Sequence, residues 1–331
     1  MDNVNKKFNL SRLNIFKIAS ITPSLLIIYG AMILFFSILN PLYVSGANLK
    51  SVFSNLGISG IMAAGLSIVV LTGNFDLSVE SILGIGAIVS AKLFNIPGVH
   101  IPIPIVILIA LLAGAAIGAL NGFLVSYVGI NSIITTLGTL AIFRGLSYLY
   151  ATEQSLIGYK PFIELGRGYL FKHIPLTFLY MIIVFVAIYL ILKYTKFGRN
   201  IYSIGANTYA SRLAGINTCR NVFFAFVISG VTAAMGGVLM ASQLAFAQGA
   251  FGVGFVFKVL TIVVLGGISL AGGRGTLVGV FIATLIICSI SNGLALVDVP
   301  VDWREAFQGI ILIAAILVDS IRVRRRELLK A

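Results

Sequence analysis

The stretch TGNFDLSVES, residues 72–81, interrupts an otherwise apolar region of the chain. The segment LSIVVL precedes it and ILGIGAIVS follows it, and both are almost free of polar groups. Asp76 and Glu80 nevertheless stand four residues apart within it. Because a carboxylate at the centre of a bilayer costs about 3 kcal/mol on insertion scales, the place of these two acids in the fold needs an explanation.

The composition is that of a membrane protein. Of 331 residues, 59% are hydrophobic and 10% are charged, with a mean hydropathy of +1.07, whereas soluble domains carry about 25% charged residues. The net charge of +13 does not indicate nucleic-acid binding, because the basic residues cluster at the two ends and in one loop. Two cysteines and two histidines predict no disulfide framework, no metal site and no cofactor.

Apolar segments of spanning length predict an all-α, polytopic membrane protein with about ten transmembrane helices. They form one transmembrane domain over residues 20–321, between a short basic segment, 1–19, and a basic tail, 322–331. The candidate spans are residues 20–40, 50–72, 77–95, 101–127, 131–151, 175–193, 220–246, 256–271, 275–296 and 305–321.

The distribution of Lys and Arg predicts that both termini face the cytoplasm. With the N-terminus inside, the segment from Lys160 to Lys172 faces outward, and residues 194–219 form a cytoplasmic loop. Fifteen of the 23 basic residues then fall on the cytoplasmic side, namely Lys6, Lys7, Arg12, Lys17, Lys193, Lys196, Arg199, Arg212, Arg220, Arg274, Arg322, Arg324, Arg325, Arg326 and Lys330.

An internal echo predicts duplicated hairpins. The segment LSIVVLTG, residues 66–73, reappears as LTIVVLGG, residues 260–267. Each copy is expected to end a span at the cytoplasmic side and to turn tightly into the next one. Interrupted segments at corresponding positions are a pointer to a transport path.

Small residues recur every four positions along the fourth span. Such residues let two helix backbones approach each other closely in lipid. The pattern predicts either a helix–helix seam or a wall of a substrate path, formed by Gly114, Gly118, Gly122 and Ser126.

Several motifs resemble one known family. DLSVES, residues 76–81, resembles the Asp-Leu-Ser-Val-Gly-Ser turn of the ribose-type ABC importer permeases, although Glu80 stands where that family usually has glycine. GRNIYSIGANTYASRLAGI, residues 198–216, resembles the cytoplasmic coupling segment of the family. Further signatures occur in the same order, and the likeness covers residues 40–325; they are NGFLVSY (121–127), ITTLGTLAIFRGL (134–146), VVLGGISLAGGRGTLVG (263–279) and SNGLALV (291–297).

The resemblance implies a subunit without enzymatic chemistry that passes a small sugar, such as a ribose-like pentose, a hexose or a related polyol, into the cytoplasm. It implies a bacterial inner-membrane location among lipid. The implied partners are ATP-binding subunits, an extracytoplasmic sugar-binding protein and a second permease copy, in a homodimer or a heterodimer. The chain has no G-x-x-x-x-G-K-[ST] segment to cradle nucleotide phosphates, so ATP hydrolysis is expected in a partner.

Three groups of residues are predicted to carry the function. A two-turn helix that is too short to be stable alone in water is expected to couple to the ATPase through Gly205, Asn207, Ala210, Arg212, Leu213 and Gly215. The expected cytoplasmic hairpin turns contain Asp76, Glu80, Gly272, Gly273 and Arg274. Candidate sugar contacts along the path are Phe53, Asn55, Asn121, Gln243, Gln248 and Asn292.

The charged residues within the apolar segments leave alternatives open. Asp76 and Glu80 either cap the third span, act at the cytoplasmic mouth, or relay protons. Arg144 either extends outward to the interface or lines a polar cavity. A second candidate function is therefore an ion-coupled secondary transporter that uses Asp76, Glu80 and Arg144. A membrane-embedded enzyme has no support, since the sequence offers no nucleophile–base or metal cluster.

Overall fold

The computed structural model describes residues 10–99, 101–151 and 153–328. Lys6, Lys7 and Lys330, which contribute to the predicted orientation, lie outside these residues. A 3-10 turn, Pro41–Val44, follows the first helix, and a π-helical turn, Leu124–Val128, extends the fourth. Numbered in chain order, helices α1 to α13 are Leu10–Leu39, Gly46–Leu71, Val79–Phe94, Ile103–Phe123, Ser132–Tyr150, Lys160–Arg167, Leu176–Tyr194, Lys196–Ala206, Thr208–Leu213, Thr218–Leu244, Phe255–Leu265, Leu277–Leu296 and Val301–Leu328.

Short strands and α6 close one end of the helix bundle. Strands β1 and β4 pair antiparallel, as do β2 and β3. Arg167 in α6 donates to the carbonyls of Gln243 and Leu244 at the end of α10, at 2.6 and 3.0 Å. We call this the α6 end, and the opposite end, where α7 leads through α8 and α9 into α10, the α8 end. The strands β1 to β4 are Ser155–Leu156, Tyr169–Leu170, Ile174–Pro175 and Phe246–Ala247.

The all-α class is confirmed, but the number of spans is not. Each of the ten predicted spans overlaps a helix. Six described helices are long and apolar enough to cross a bilayer by length and composition: α2, α4 with its π-helical extension, α5, α7, α10 and α12. Helices α3 and α11, with 16 and 11 residues, are shorter. Helices α1 and α13 also extend into the segments predicted as tails, because apolarity alone does not locate a polar continuation of a helix.

Helices α2 and α10 form the centre of the bundle. The most apolar windows of α2 and α10 are 89% and 67% buried, whereas those of α4 and α7 are each 28% buried. Helix α10 packs against α4, α3 and α2, and α2 also contacts α7, α12 and α11. The outer helices therefore expose most of their apolar side chains, as a lipid-facing layer does.

The small residues of α4 form a helix–helix seam, as one of the two interpretations predicted. Gly114 lies against the backbone carbonyl of Gly230, and Gly118 against that of Phe226. A Cβ atom at Gly122 would lie 2.8 Å from the carbonyl oxygen of Phe223. Because backbone rather than flexible side chain faces these glycines, α4 and α10 have no room for larger residues along the seam.

The two copies of the sequence echo end their helices in the same way. Both α2 and α11 finish in a Schellman motif, in which a glycine with positive φ follows the last turn. The glycines are Gly73, with φ of 80°, and Gly267, with φ of 84°. The matching hydrogen bonds run from Gly73 N–H to the Val70 carbonyl, Asn74 N–H to Val69, Gly267 N–H to Val264, and Ile268 N–H to Val263.

The chain does not turn tightly into α3, which corrects the predicted hairpin. Residues 72–78 run back into the bundle, because Asp76 reaches Ser229, which lies eleven residues after the start of α10 at Thr218. At 1.5 Å per residue this is about 16 Å along the axis of α10. Residues 245–254 similarly run inward before α11 begins, and Gly252 packs against the carbonyl of Glu80. Helices α3 and α11 therefore both begin inside the bundle.

We expect Gly118→Ala to destabilise the protein, because the added methyl group would meet the carbonyl of Phe226. Overpacking of this kind costs about 1–3 kcal/mol. The thermal unfolding midpoint in detergent should fall by several degrees. Gly138→Ala is the matched control, since no atom lies within 4 Å of a Cβ built at Gly138. Equal midpoints for the two variants would contradict the tight seam.

Candidate functional site

The first polar cluster surrounds the buried side chain of Asp76. Its carboxylate accepts hydrogen bonds from the Ser78 N–H at 3.1 Å, the Ser78 hydroxyl at 2.6 Å and the Ser229 hydroxyl at 2.7 Å. Asn121 Nδ2 donates to Ser78 Oγ at 2.8 Å. Hydroxyl and amide groups therefore surround the carboxylate, and within residues 10–99, 101–151 and 153–328 no cation is paired with it.

This geometry corrects the capping prediction for Asp76. The N-cap residue of α3 is Ser78, and its side chain makes no capping hydrogen bond. Asp76 instead accepts from the Ser78 N–H two residues on, as in an Asx turn. The acid does satisfy a backbone N–H before α3, but it does so in the interior of the bundle. Its three donors offset the cost of burying a carboxylate.

The second polar cluster joins Glu80 in the first turn of α3 to Arg144 on α5. Arg144 Nη2 lies 3.4 Å from Glu80 Oε1, and the side chains of Arg144 and Glu80 are 10% and 9% exposed. Arg144 Nη1 donates to the carbonyls of Gly249 and Phe251, at 3.1 and 2.6 Å. One guanidinium thus joins α3, α5 and the segment 245–254. Its pair with Glu80 is the one ion pair among the described residues.

Arg144 does not extend outward to the interface, which corrects that interpretation. It turns inward because Gly84, one turn after Glu80, leaves space for it. A Cβ at Gly84 would lie 3.4 Å from Arg144 Nη1 and 3.0 Å from the Phe251 carbonyl. Neither Glu80 nor Asp76 therefore belongs to a hairpin turn at the α8 end.

The buried face of α5 is polar, and its exposed face is apolar. Ser132 Oγ at the start of this face accepts from the Phe75 N–H at 3.1 Å, so α5 also satisfies the backbone of the first interruption. The remaining polar residues of the buried face are Thr135, Thr136, Thr139, Arg144 and Ser147. Exposed residues of the helix include Ile134, Leu137, Ile142 and Leu149.

The predicted turn residues Gly272 and Gly273 lie at the α8 end, beside the end of α2. Gly273 N–H donates to the Leu71 carbonyl at 2.8 Å. A Cβ at Gly272 would lie 2.7 Å from the backbone nitrogen of Gly73. Arg274, the next residue after Gly273, is exposed. The turns that end α2 and α11 are thus packed on each other through glycine backbone.

Helix α8 rests directly on these turns. A Cβ at Gly205 would overlap the Leu71 carbonyl and the backbone nitrogen of Gly273. The Tyr202 hydroxyl donates to the Gly275 carbonyl at 3.2 Å. Burial raises the pKa of Tyr202 to about 12, so this phenol stays a neutral donor at physiological pH. Gly205 therefore contacts the backbone of both turns, and its part in coupling to the ATPase stays a prediction.

The predicted two-turn helix corresponds to α9. Asn207 Oδ1 accepts from the Ala210 N–H at 2.9 Å, which is an N-cap bond. Tyr209 and Leu213 are 73% and 74% exposed. Arg212 Nε donates to Thr218 Oγ1 at 3.0 Å, and Ala210 and Gly215 are exposed. Apart from Gly205, the predicted coupling residues therefore lie in or beside one short helix with an exposed apolar face.

The candidate sugar contacts take part in several separate contacts of the structure. Three of them make side-chain hydrogen bonds between segments, and one packs on another ring. They are Asn121 in the first cluster, Gln243 with Ser54 at 3.1 Å, Asn292 with Asn48 at 2.9 Å, and Phe53, whose ring is tilted by 59° against that of Phe178 with centroids 4.9 Å apart. Asn55 is exposed. Gln248 lies next to the second polar cluster, because it immediately precedes Gly249, whose carbonyl accepts from Arg144. The sequence drew attention to Glu80 and to Arg144, but no spacing signal pairs residues 64 positions apart.

The interruptions inside the bundle and the polar groups collected there define an integral membrane protein of the transport class, in which discontinuous helices surround a path. The sequence profile of the family described as "Branched-chain amino acid transport system / permease component" matches residues 48–316. The chain belongs to this family of permease components.

Several relatives align along most of the chain. The ribose import permease protein RbsC of Haemophilus influenzae is 32% identical over 289 residues, 86% of this chain and 88% of the relative. The autoinducer 2 import system permease protein LsrC of Photorhabdus luminescens is 34% identical, over 86% of this chain and 85% of its own. RbsC of Bacillus subtilis is 34% identical, over 87% of this chain and 89% of the relative. No solved structure matches the chain.

We expect Asp76→Ala to destabilise the protein more than Asp76→Asn does. Alanine leaves the Ser78 N–H and the Ser229 hydroxyl without acceptors, at about 1–3 kcal/mol for each unsatisfied group. Asparagine keeps one acceptor oxygen in the same place. Thermal unfolding in detergent would measure the difference. If both variants melt like the unsubstituted protein, the hydrogen bonds of this cluster do not stabilise the start of α3.

Proposed function

We propose that this chain is the translocation subunit of a binding-protein-dependent ABC importer for a small sugar. The substrate would be a ribose-like pentose, a hexose or a related polyol. Membership of the permease family supports the transport role, and the relatives named as ribose and autoinducer 2 import permeases support a small carbohydrate-like solute. The observation that carries the importer assignment is α9, a short capped helix with exposed Tyr209 and Leu213 at the α8 end.

Helix α9 is suited to receive a separate ATPase subunit. A helix of six residues has little stability of its own in water and needs a surface to pack on. The exposed side chains of Tyr209 and Leu213, one turn apart, offer an apolar stripe to such a surface. A displacement of α9 by the ATPase would also move α8, because a 2.8 Å hydrogen bond between Ser203 and Ser211 joins the two helices.

The contacts of α8 provide a route from the ATPase to the interrupted segments. Gly205 touches both Leu71 and Gly273, so a displacement of α8 would press on the ends of α2 and α11 together. The end of α2 continues into residues 72–78, and the other turn follows helix α11. Residues 72–78 and the start of α11 are the two elements that lie beside the polar clusters. Coupling through backbone contact is stiff, since close-packed interiors transmit strain.

The remaining parts of the proposal concern the assembly. The subunit lies in the bacterial inner membrane with both termini in the cytoplasm, and a second permease copy, identical or homologous, completes the path. An extracytoplasmic binding protein delivers the sugar at the α6 end, and ATP-binding subunits occupy the α8 end. The excess of Lys and Arg in the terminal segments and around α8 supports this orientation.

The ion-coupled secondary transporter receives less support. Glu80 and Arg144 pair with each other, and the oxygens of Asp76 already accept three hydrogen bonds. A carrier of that class would also have no need of an exposed apolar helix such as α9.

We expect Leu213→Asp to weaken ATPase association, because a charge would replace an exposed apolar contact. Leu156→Asp at the α6 end is the matched control, since Leu156 is 67% exposed. Co-purification of the ATPase and ATP-driven sugar uptake by reconstituted importers are the measurements. The coupling assignment is wrong if Leu213→Asp retains the ATPase as the control does and takes up sugar as the unsubstituted importer does.

The proposed orientation predicts which cysteines are labelled from outside. With Cys219 and Cys288 replaced by serine, Lys160→Cys should react with a membrane-impermeant maleimide in intact cells. Arg199→Cys should react only after the membrane is permeabilised. Both native side chains are exposed, so access to the reagent depends on the side of the membrane. The reverse pattern would invert the topology.

A further inference from the structure

We propose that Glu80, Arg144 and Tyr148 form a sugar contact site that binds two adjacent hydroxyls of the passing substrate. The inference rests on the proposed function and assigns the sugar contact to the point where the two interrupted segments meet. Cation and anion are both present there, with an aromatic ring beside them, which is a suitable combination for a polyol ring.

The ion pair leaves hydrogen-bonding capacity unused. Its Nη2 to Oε1 separation of 3.4 Å exceeds the 2.7–2.9 Å that is usual for a charge-assisted hydrogen bond. A carboxylate accepts hydrogen bonds at both oxygens, yet Glu80 Oε2 has no partner among the described residues. A partly buried pair needs such additional hydrogen bonds to offset its desolvation. A hydroxyl donating to Oε2 would supply one.

The guanidinium provides the complementary donors. Nη1 of Arg144 is occupied by the carbonyls of Gly249 and Phe251, which fixes the plane of the group. Arginine has five N–H donors, and Nε of Arg144 makes no hydrogen bond in the part of the chain that the structure describes. One hydroxyl of a vicinal pair can therefore donate to Glu80 while its neighbour accepts from Arg144.

Tyr148 supplies an apolar face next to these charges. It lies one turn after Arg144 on α5 and is 47% exposed. A Cβ at Gly249 would lie 2.8 Å from Tyr148 Cδ1, so the ring packs beside the same loop that binds the guanidinium. The C–H face of a sugar could rest on the ring while its hydroxyls meet the ion pair.

The starts of two interrupted helices lie close together at this point. Glu80 lies in the first turn of α3, and its backbone carbonyl touches Gly252, three residues before α11 begins. The segment that leads into α11 therefore packs on the first turn of α3, where an acidic side chain is favourable. Polar groups held between half-helix N-termini are also the usual location of substrate in transporters with discontinuous helices.

The test is ligand-observed saturation-transfer NMR on the full chain in lipid nanodiscs, with D-ribose, D-xylose and D-galactose as probes. For the sugar that the unsubstituted protein binds best, Tyr148→Ala and Glu80→Gln should each weaken binding, Glu80→Gln by about tenfold, as expected when a hydrogen bond to a charged group is lost. Tyr150→Ala is the matched control, because Tyr150 is 65% exposed on the same helix. It should bind like the unsubstituted protein.

A second comparison separates a sugar contact from a structural ion pair. If D-ribose binds, the preference for D-ribose over 2-deoxy-D-ribose, which has fewer adjacent hydroxyl pairs, should shrink in Glu80→Gln. Should Glu80→Gln fail to fold, sugar binding by Tyr148→Ala, a change at an exposed residue, tests the site. The site is wrong if Tyr148→Ala binds sugar as Tyr150→Ala does, or if none of the three sugars binds the unsubstituted protein.

Failure of the site can be told apart from failure of the proposed function. Co-purification of the ATPase and ATP-driven sugar uptake by the unsubstituted importer test the function alone. Uptake that Tyr148→Ala leaves unchanged would overturn the contact site and leave the importer standing. Absence of both ATPase association and uptake would overturn the importer, and with it the site.

Discussion

Backbone groups inside an apolar bundle must find hydrogen-bond partners within the protein, because lipid offers none. This chain interrupts its helices twice in the interior, at residues 72–78 and 245–254. Side chains supply the partners that helix geometry no longer provides. Asp76 and Ser132 accept from non-helical N–H groups of the first interruption, and Arg144 donates to two carbonyls of the second.

At each interruption, the charge of the side chain present matches the kind of backbone group that has lost its helical hydrogen-bond partner. Where N–H groups have no partner, an acid and a hydroxyl are present, and where carbonyls have none, an arginine is present. The ion pair with Glu80 balances the buried guanidinium and also ties the first turn of α3 to the loop before α11. Two breaks that would each weaken the bundle thus stabilise each other, and they gather polar groups inside the bundle.

Glycine contacts connect this interior to the α8 end. The turns after α2 and α11 adopt positive φ at Gly73, Gly267, Gly272 and Gly273, which residues with a side chain rarely adopt. The absence of Cβ atoms also allows α8 to sit directly on the backbone of both turns. A rigid connection from α9 to the interrupted segments results, and it is the physical basis for the coupling that we propose.

The sequence by itself determined the membrane class, the approximate position of each apolar helix, the small-residue face of α4 and the short helix near Asn207. These depend on composition and on residues close together in the chain, where propensity, capping and small-residue spacing act locally. Only the tertiary structure decided that Asp76 lies deep in the bundle, that Arg144 turns inward, and that the candidate sugar contacts are dispersed. Those facts depend on which helices pack together. Ser229 lies 153 residues from Asp76, and no local pattern encodes a contact over that separation.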